Sequence, residues 1–163
     1  LDGWCGDSAR TFAVGEVSEE ASQLLRVTRE ALDRAVEAAR PGNHLGDVGA
    51  AVEAVVAGTG YHVIRDLVGH GIGRELHEEP QVPNRGKKGE GPLLREGMVL
   101  AIEPMIATGT WRIRTLADQW TMATADGSLS AHFEHTVAVT AAGPRVLTAP
   151  LGGVEAAALE SRS

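Results

Sequence analysis

The length, composition and charge of the chain restrict it to a narrow class of proteins. It has 163 residues, 43% of them hydrophobic, which suits one globular domain with its own core and is too short for two. A formal charge of −7 argues against a nucleic-acid partner. No stretch approaches the roughly 18–20 apolar residues of a membrane span, and the single cysteine, Cys5, suits a reducing cytoplasm.

The first residues predict a hairpin turn followed by a strand. Asp2-Gly3 is typical of a β-hairpin turn, and residues 4–13 are predicted to form the strand that leaves it. Because a hairpin turn needs a strand on both sides, we expect that the first strand of the hairpin, and the half of the sheet to which it belongs, precedes residue 1.

Two helices are predicted next. Ser18 is a good N-cap, and Glu19 and Glu20 favour the positive end of the helix that follows. Its apolar residues recur at helical spacing until Pro41-Gly42 ends it. A second amphipathic helix is predicted from about Leu45 to Ala57.

From Tyr61 onward the pattern predicts short strands separated by Gly, Pro and Asp turns. The predicted strands are 61–64, 98–103, 111–115, 119–124, 132–140 and 145–147. The sequence therefore predicts one α+β domain over residues 1–149, and residues 150–163 are predicted to be a flexible tail.

Four side chains in or beside short strand-like runs could bind a metal: Asp7, His70, Glu103 and Glu134. Glu103 ends the apolar run MVLAIE and Glu134 lies within AHFEHTVAV. A carboxylate in a buried strand must be paired or bound to a metal, because an isolated buried charge is very costly. Three carboxylates and an imidazole suit a hard divalent metal, which activates water and polarises a carbonyl. The set therefore indicates amide hydrolysis.

Each of these residues also has a structural interpretation. Glu103 could form a salt bridge with Arg112 or Arg114, His70 could be a loop residue, and Asp7 could cap a turn. The glycines on both sides of His70 would let the backbone pass close to a ligand or a metal. A zinc site built from cysteines is excluded by the single cysteine, and no HExxH motif occurs.

Three motifs carry a family resemblance. They are GHGIGRELHEEP at 69–80, GMVLAIEP at 97–104 and WTMATADGSLSAHFEHT at 120–136. Together they closely resemble type I methionine aminopeptidases, and the similarity runs from Leu1 to about Thr148. Prolidases and proline-specific aminopeptidases share the fold and the metal ligands. The short spacing between His70 and His77, and the strand rich in Trp and Thr, resemble the methionine enzymes better.

The resemblance implies a fold and an activity. The fold would be pita-bread, a curved antiparallel sheet backed by helices with metals in its concavity. The activity would be metal-dependent removal of N-terminal methionine from nascent proteins and peptides. By position Asp7 and Glu134 would bridge two metals, and His70 and Glu103 would bind one of them. Glu103 would also carry the proton between the attacking water and the leaving amine.

The resemblance also implies three substrate contacts. His77 resembles the histidine that contacts the scissile carbonyl or the oxyanion, so it would be both catalytic and substrate-binding. Trp120 resembles the aromatic wall of the methionine pocket, although a core tryptophan in a strand explains its spacing equally well. Leu76 stands where the family usually has phenylalanine.

The chain departs from the family at its N-terminal side. The family's first aspartate ligand, a substrate histidine and much of the pocket cannot be located in it. We therefore expect one complete metal site, formed by Asp7, His70, Glu103 and Glu134, where the family has two. The second would keep only Asp7 and Glu134. Co(II), Mn(II), Fe(II) and Zn(II) all suit these ligands.

The expected partners are peptide and nascent-chain N-termini, with ribosome association in the full protein. Half a sheet would expose strand edges and apolar surface, so we expect an oligomer or a need for the missing half. Activity of this chain alone is expected to be impaired or absent. The alternative is a non-catalytic short chain of this fold that binds a single metal or a protein partner.

Overall fold

The computed structural model describes residues 2–149, so the predicted tail at 150–163 lies outside the described residues. The described part confirms the predicted α+β class. Its elements in chain order are β1 (Ser8–Arg10), α1 (Glu19–Ala38), α2 (Leu45–Val56), β2 (His62–Val63), β3 (Gly69–Gly71), β4 (Glu78–Val82), β5 (Val99–Ile102), β6 (Met105–Ala107), β7 (Ile113–Thr115), β8 (Met122–Thr124), β9 (Ser130–Thr140) and β10 (Gly143–Val146).

Both predicted helices are confirmed. Helix α1 begins after Ser18, whose hydroxyl accepts a hydrogen bond of 3.1 Å from the backbone N–H of Ala21. Before α2, the backbone N–H of His44 donates to the carboxylate of Asp47 at 2.7 Å. One face of each helix packs into a single core, which includes Leu24, Ala31, Leu32, Ala35, Val48, Val52 and Val56. Within residues 2–149 no helix is long and apolar enough to cross a membrane.

The sheet is antiparallel and is organised around the long strand β9. Its order is β2-β6-β9-β5-β3-β4, and β1 and β10 also pair with β9. Strands β6 and β5 follow one another along one edge of β9, and β1 and β10 follow one another along the other edge. Strands β7 and β8 form a separate hairpin. Side chains from four neighbouring strands can therefore lie beside those of β9.

The two faces of the sheet differ in chemistry. In β9 the residues Ala131, Phe133, Val137 and Val139 belong to the core that the helices complete. The alternate residues His132, Glu134 and Thr136 point to the opposite face, because side chains alternate along a strand. In β5 the same alternation sends Leu100 and Ile102 into the core. It leaves Ala101, and Glu103 just beyond the strand, on the polar face.

Several predicted boundaries are corrected by the structure. The strand predicted at 4–13 is reduced to Ser8–Arg10, and the strand predicted at 119–124 begins only at Met122. The predicted strands do not include β3, β4 or β6, because runs of three to five residues that contain glycines or lie beside prolines show too little alternation. The predicted elements are therefore right in order and type, and wrong mainly where strands are short.

The glycines beside His70 are explained by the sheet itself. A Cβ atom on Gly69 would collide with the carbonyl oxygen of Ala101 in β5, and one on Gly71 would collide with the carbonyl oxygen of Glu79 in β4. The register between β3 and β4 also shifts between His70 and Gly71. The neighbouring strands therefore require glycine at both positions, because their backbone occupies the space that a Cβ atom would take.

Candidate metal centre

Two carboxylates face each other across strands at the middle of the polar face. Ile102 pairs with His135, and Met105 pairs with His132, in one continuous register. That register places Glu103 directly opposite Glu134. Like charges opposite one another on a sheet are destabilising, so this pair needs a proton or a cation.

Asp7 and His70 come from the next row of the sheet. His70 pairs with Ala101, which in turn pairs with Thr136 of β9. The Thr136 hydroxyl donates to the carbonyl oxygen of Asp7 at 2.7 Å and accepts from the Asp7 backbone N–H at 2.8 Å. One ligand atom each from Asp7, His70 and Glu134 lie within 4.8 Å of one another. Thr136 therefore fixes Asp7 beside this group.

The hydrogen bonding of His70 leaves its other nitrogen available as a ligand. Nδ1 lies 2.8 Å from the carbonyl oxygen of Gly71, which can only accept, so Nδ1 carries a proton and, in the neutral ring, Nε2 has the lone pair. Nε2 lies 3.6 Å from Oε1 of Glu103, beyond hydrogen-bond distance. A lone pair that faces a carboxylate is repelled by it, and a cation between the two would remove the repulsion.

Glu134 is the most buried acidic group of the centre. It is 5% exposed, and among residues 2–149 its Oε1 has no hydrogen-bond partner. Burial, followed by the charges of Glu103 and Asp7, raises the pKa of Glu134 to about 8. The metal-free centre therefore holds a proton on Glu134 at neutral pH, where a bound cation would take its place.

The structure brings together all four of the predicted ligands. Glu134 is common to two groups of ligand atoms, one with Asp7 and His70 and one with Glu103. The contact between His70 and Glu103 joins these groups. The alternative salt bridge from Glu103 to Arg112 or Arg114 is wrong, because within residues 2–149 the ion pairs of Glu103 are with His70 and His132.

Two further residues hold the centre and were not predicted. The buried side chain of Asn84 donates to the backbone carbonyl of Glu103 at 3.0 Å and so fixes the end of β5. The other is His132, whose Nε2 lies 3.4 Å from Oε2 of Glu103. The alternation of side chains along AHFEHT could have predicted His132, because it places residues 132 and 134 on the same face of the strand.

The three predicted substrate contacts lie outside this cluster. The His77 ring lies 4.3 Å from the His70 ring and its side chain is exposed. Leu76 is 44% exposed. Trp120 is 86% exposed, in a turn where Asp118 accepts hydrogen bonds from its backbone N–H and that of Thr121. The interpretation of Trp120 as a core residue of a strand is therefore wrong, because strand β8 begins only at Met122.

The donor set fits a divalent cation. It consists of three carboxylates, an imidazole whose free nitrogen faces inward, and a buried carboxylate oxygen without a hydrogen bond. Hard divalent cations prefer oxygen ligands with few imidazoles, and binding would relieve the repulsion among the acids. Cys5 adds no ligand here, since it is exposed and its sulfur lies 3.7 Å from the carbonyl oxygen of Arg74.

Comparison with known proteins places the chain among metallopeptidases. The model of metallopeptidase family M24 matches residues 1–141. The methionine aminopeptidase of Clostridium acetobutylicum is 53% identical over 148 residues, which are 91% of this chain and 59% of that protein. The chain thus spans about 59% of the length of this curated relative.

Solved structures give the same result for the fold. A methionine aminopeptidase from Thermotoga maritima superposes with a TM-score of 0.88 at 51% identity, covering 91% of this chain and 59% of that one. The prolidase from Pyrococcus furiosus has a TM-score of 0.69 at 28% identity, covering 92% and 39%. The expected pita-bread fold and the resemblance to methionine aminopeptidases are both confirmed. The chain belongs to metallopeptidase family M24, whose chemistry uses divalent metal ions.

Proposed function

We propose that this chain supplies the catalytic centre of an enzyme that removes methionine from the N-termini of peptides and nascent chains. One observation carries the proposal: Asp7, His70, Glu103 and Glu134 meet on one face of the sheet although they come from four separate segments. The identity of about half with proteins named methionine aminopeptidase supports the choice of substrate within the family.

In this proposal the four ligands hold the cation and Glu103 also moves the proton. A bound divalent cation would lower the pKa of water and polarise the scissile carbonyl. Glu103 accepts the proton of the attacking water on its carboxylate and returns it to the leaving amine. His77, whose ring lies 4.3 Å from that of His70, is proposed to donate a hydrogen bond to the carbonyl oxygen of the substrate.

Trp120 and Leu76 are proposed to contact the methionine side chain. Both are exposed apolar side chains on turns, and Asp118 fixes the turn that carries Trp120 through three hydrogen bonds, to Trp120 and Thr121. An exposed indole ring leaves apolar surface in contact with water, which is unfavourable, and a bound methionine side chain would cover that surface. Each of these side chains is thus available for contact with an apolar ligand.

Peptide hydrolysis tests the function. With Mn(II) or Co(II) present, we expect slow release of free methionine from a Met-Ala-Ser peptide, because the activity of this chain alone is expected to be impaired. We expect no cleavage of an X-Pro peptide whose first residue is not methionine. Cleavage of the proline peptide alone would assign the chain to the prolidase branch. Metal binding without any cleavage would favour the alternative, a non-catalytic chain that binds a single metal or a protein partner.

Metal titration tests the number of tight sites. We expect one tight equivalent of Mn(II) or Co(II) per chain of residues 1–163, because Asp7, His70, Glu103 and Glu134 form one complete set of ligands. Calorimetry measures this directly, and Fe(II) and Zn(II) are expected to compete for the same site. Two tight equivalents of equal affinity would contradict the proposal.

Association in solution is expected from the exposed surface around β1. Trp4, Phe12, Val14 and Val17 are between 41% and 87% exposed and lie within one short stretch of chain. Sedimentation velocity is expected to show self-association that increases with concentration, and a monodisperse monomer would contradict it.

We also propose a cytoplasmic location, which suits an exposed and unpaired thiol such as Cys5.

A further inference from the structure

Strands β1 and β10 meet on one edge of β9, and Thr136 lies in the row between them. Ser8, the first residue of β1, pairs with His135, and Val146, the last residue of β10, pairs with Val137. The row of Thr136 is therefore the junction of two strands that share one edge of β9.

The chain that follows β10 takes up the backbone groups of Thr136. The Leu147 N–H donates to the Thr136 carbonyl oxygen at 2.8 Å, and the Thr136 N–H donates to the hydroxyl oxygen of Thr148 at 3.1 Å. The same hydroxyl lies 2.9 Å from Nδ1 of His135, which anchors it to the neighbouring row. Because both backbone groups of Thr136 already have these partners, Asp7 needs a different partner on β9.

Asp7 is bonded to the side chain of Thr136 instead. Its backbone N–H donates to Thr136 Oγ1 at 2.8 Å, and its carbonyl oxygen accepts from the same hydroxyl at 2.7 Å. Thr136 is 2% exposed, and its side chain lies on the polar face with that of Glu134. A strand bonded to backbone groups stays in the plane of the sheet, whereas this hydroxyl draws Asp7 toward the polar face. The carboxylate of Asp7 thereby comes within reach of His70 and Glu134.

We propose that Thr136 and Thr148 are positioning residues that act in series to hold Asp7 at the metal centre. Thr148 fixes the backbone of residue 136, and the Thr136 hydroxyl fixes the backbone of Asp7. The inference rests on the metal centre proposed above, in which neither threonine is a ligand. Groups that orient a metal ligand commonly account for about 10–100-fold in metal affinity, so both hydroxyls should influence how tightly the cation binds.

The test is calorimetric titration with Mn(II) of variants that each remove one hydroxyl. Thr136→Val keeps the shape of the side chain, and its affinity for Mn(II) is expected to fall about 10–100-fold because Asp7 loses both bonds. Thr148→Val acts on Asp7 only through residue 136, so its affinity is expected to fall by about 3–10-fold. Thr136→Ser and Thr148→Ser keep the hydroxyl and are expected to stay within about threefold of the wild-type chain.

The double variant tests whether the two residues act in series. Thr136→Val already disconnects Asp7, so adding Thr148→Val is expected to lower the affinity no further. Effects that instead multiply would show that the two residues act independently, and would contradict the proposed arrangement.

Thr28→Val is a matched control for the loss of a buried hydroxyl. Thr28 is fully buried, and its hydroxyl donates to the carbonyl oxygen of Leu24 at 2.7 Å within α1. This variant is expected to change the free energy of unfolding and to keep the affinity for Mn(II). If Thr136→Val and Thr148→Val likewise changed only the free energy of unfolding, both residues would merely support the fold and the inference would be wrong.

Hydrogen exchange in the metal-free chain gives a readout that depends on neither metal nor activity. Because the Asp7 amide donates to the Thr136 hydroxyl, it is expected to exchange at least about tenfold faster in Thr136→Val. It should also exchange faster in Thr148→Val, while the amides of α1 keep their protection in both variants. An Asp7 amide whose exchange is the same in Thr148→Val as in the wild-type chain would overturn the role of Thr148.

The two proposals fail in different ways. A chain that binds one tight equivalent of Mn(II) and releases methionine, but whose valine variants bind Mn(II) equally well, keeps the proposed function and loses this inference. A chain without tight binding, in which exchange of the Asp7 amide still depends on Thr136 and Thr148, keeps the positioning of Asp7 and loses the proposed centre.

Discussion

Replacing Glu134 with glutamine is expected to abolish tight metal binding and to stabilise the metal-free chain. Glu134 is shared by both groups of ligand atoms, so its loss removes a ligand from every arrangement that the centre allows. We expect the affinity for Mn(II) to fall on the order of a thousandfold, about 4 kcal/mol. The amide remains neutral and can donate hydrogen bonds to Glu103 and Asp7, where the carboxylate repels them.

The same substitution should change how stability depends on pH. Because the pKa of Glu134 is raised to about 8 from an ordinary value of 4.5, the folded chain binds this proton more tightly than the unfolded chain. The stability from the protonated group is complete below 4.5 and is lost as the pH rises to about 8. Glu134→Gln should not show this loss of stability as the pH rises. Above pH 8 its free energy of unfolding should therefore be higher than that of the wild-type chain by about 1–3 kcal/mol.

Chemical denaturation in the presence of a chelator measures this at several pH values, and calorimetry measures the affinity for Mn(II). Glu16→Gln is a suitable control because Glu16 is exposed and belongs to neither group of ligand atoms. It is expected to change neither quantity. If Glu134→Gln bound Mn(II) as tightly as the wild-type chain does, Glu134 would not be a shared ligand. If the variant were less stable than the wild-type chain at pH 8.5 without metal, Glu134 would not be the group that is protonated in the metal-free centre.

Much of the fold could be predicted from local patterns. Helices α1 and α2 have caps, apolar periodicity and glycine or proline at their ends, and these signals act within a few residues. The acidic residues Glu103 and Glu134 stand out because they interrupt apolar strands, where a charge needs a partner. For these two residues, sequence and structure point to the same chemistry.

The arrangement of the centre depends on pairing between distant strands, which local patterns do not contain. Nothing near Asp7 in the sequence shows that it is held by Thr136, 129 residues away. The register that sets Glu103 opposite Glu134 follows from how β5 and β6 lie along β9. His132 was overlooked because a histidine beside a phenylalanine in a strand draws no attention until its neighbours on the same face are known.

Exposure was also hard to predict. Trp120 lies close to Met122 in sequence and was assigned to the same strand, but hydrogen bonds to Asp118 form a turn there. A tryptophan in a strand is usually buried, whereas a tryptophan on a turn need not be. Because strand β8 begins two residues after Trp120, the side chain is exposed rather than buried. The neighbouring aspartate was the signal, because Asp side chains commonly accept hydrogen bonds from the backbone two residues further on.

Replacing Glu103 with glutamine is expected to remove most of the hydrolysis of a Met-Ala-Ser peptide while the fold is kept. Glutamine has the same shape, and Asn84 bonds to the backbone of residue 103 rather than to its side chain, so the end of β5 should stay in place. The amide cannot accept the proton of the attacking water. General acid–base groups contribute about 10²–10⁴-fold, so kcat should fall by this factor at saturating metal.

Saturation matters because Glu103 is also a proposed ligand, and weaker metal binding alone would lower the rate at limiting Mn(II). The affinity of each variant is therefore measured first, and kcat is compared only where the site is filled. Glu103→Asp, which keeps a carboxylate on a shorter side chain, should recover part of the rate, whereas Glu96→Gln at an exposed position should keep all of it. A kcat for Glu103→Gln within about threefold of wild type at saturating metal would exclude Glu103 as the general base, because another group would then have to carry the proton.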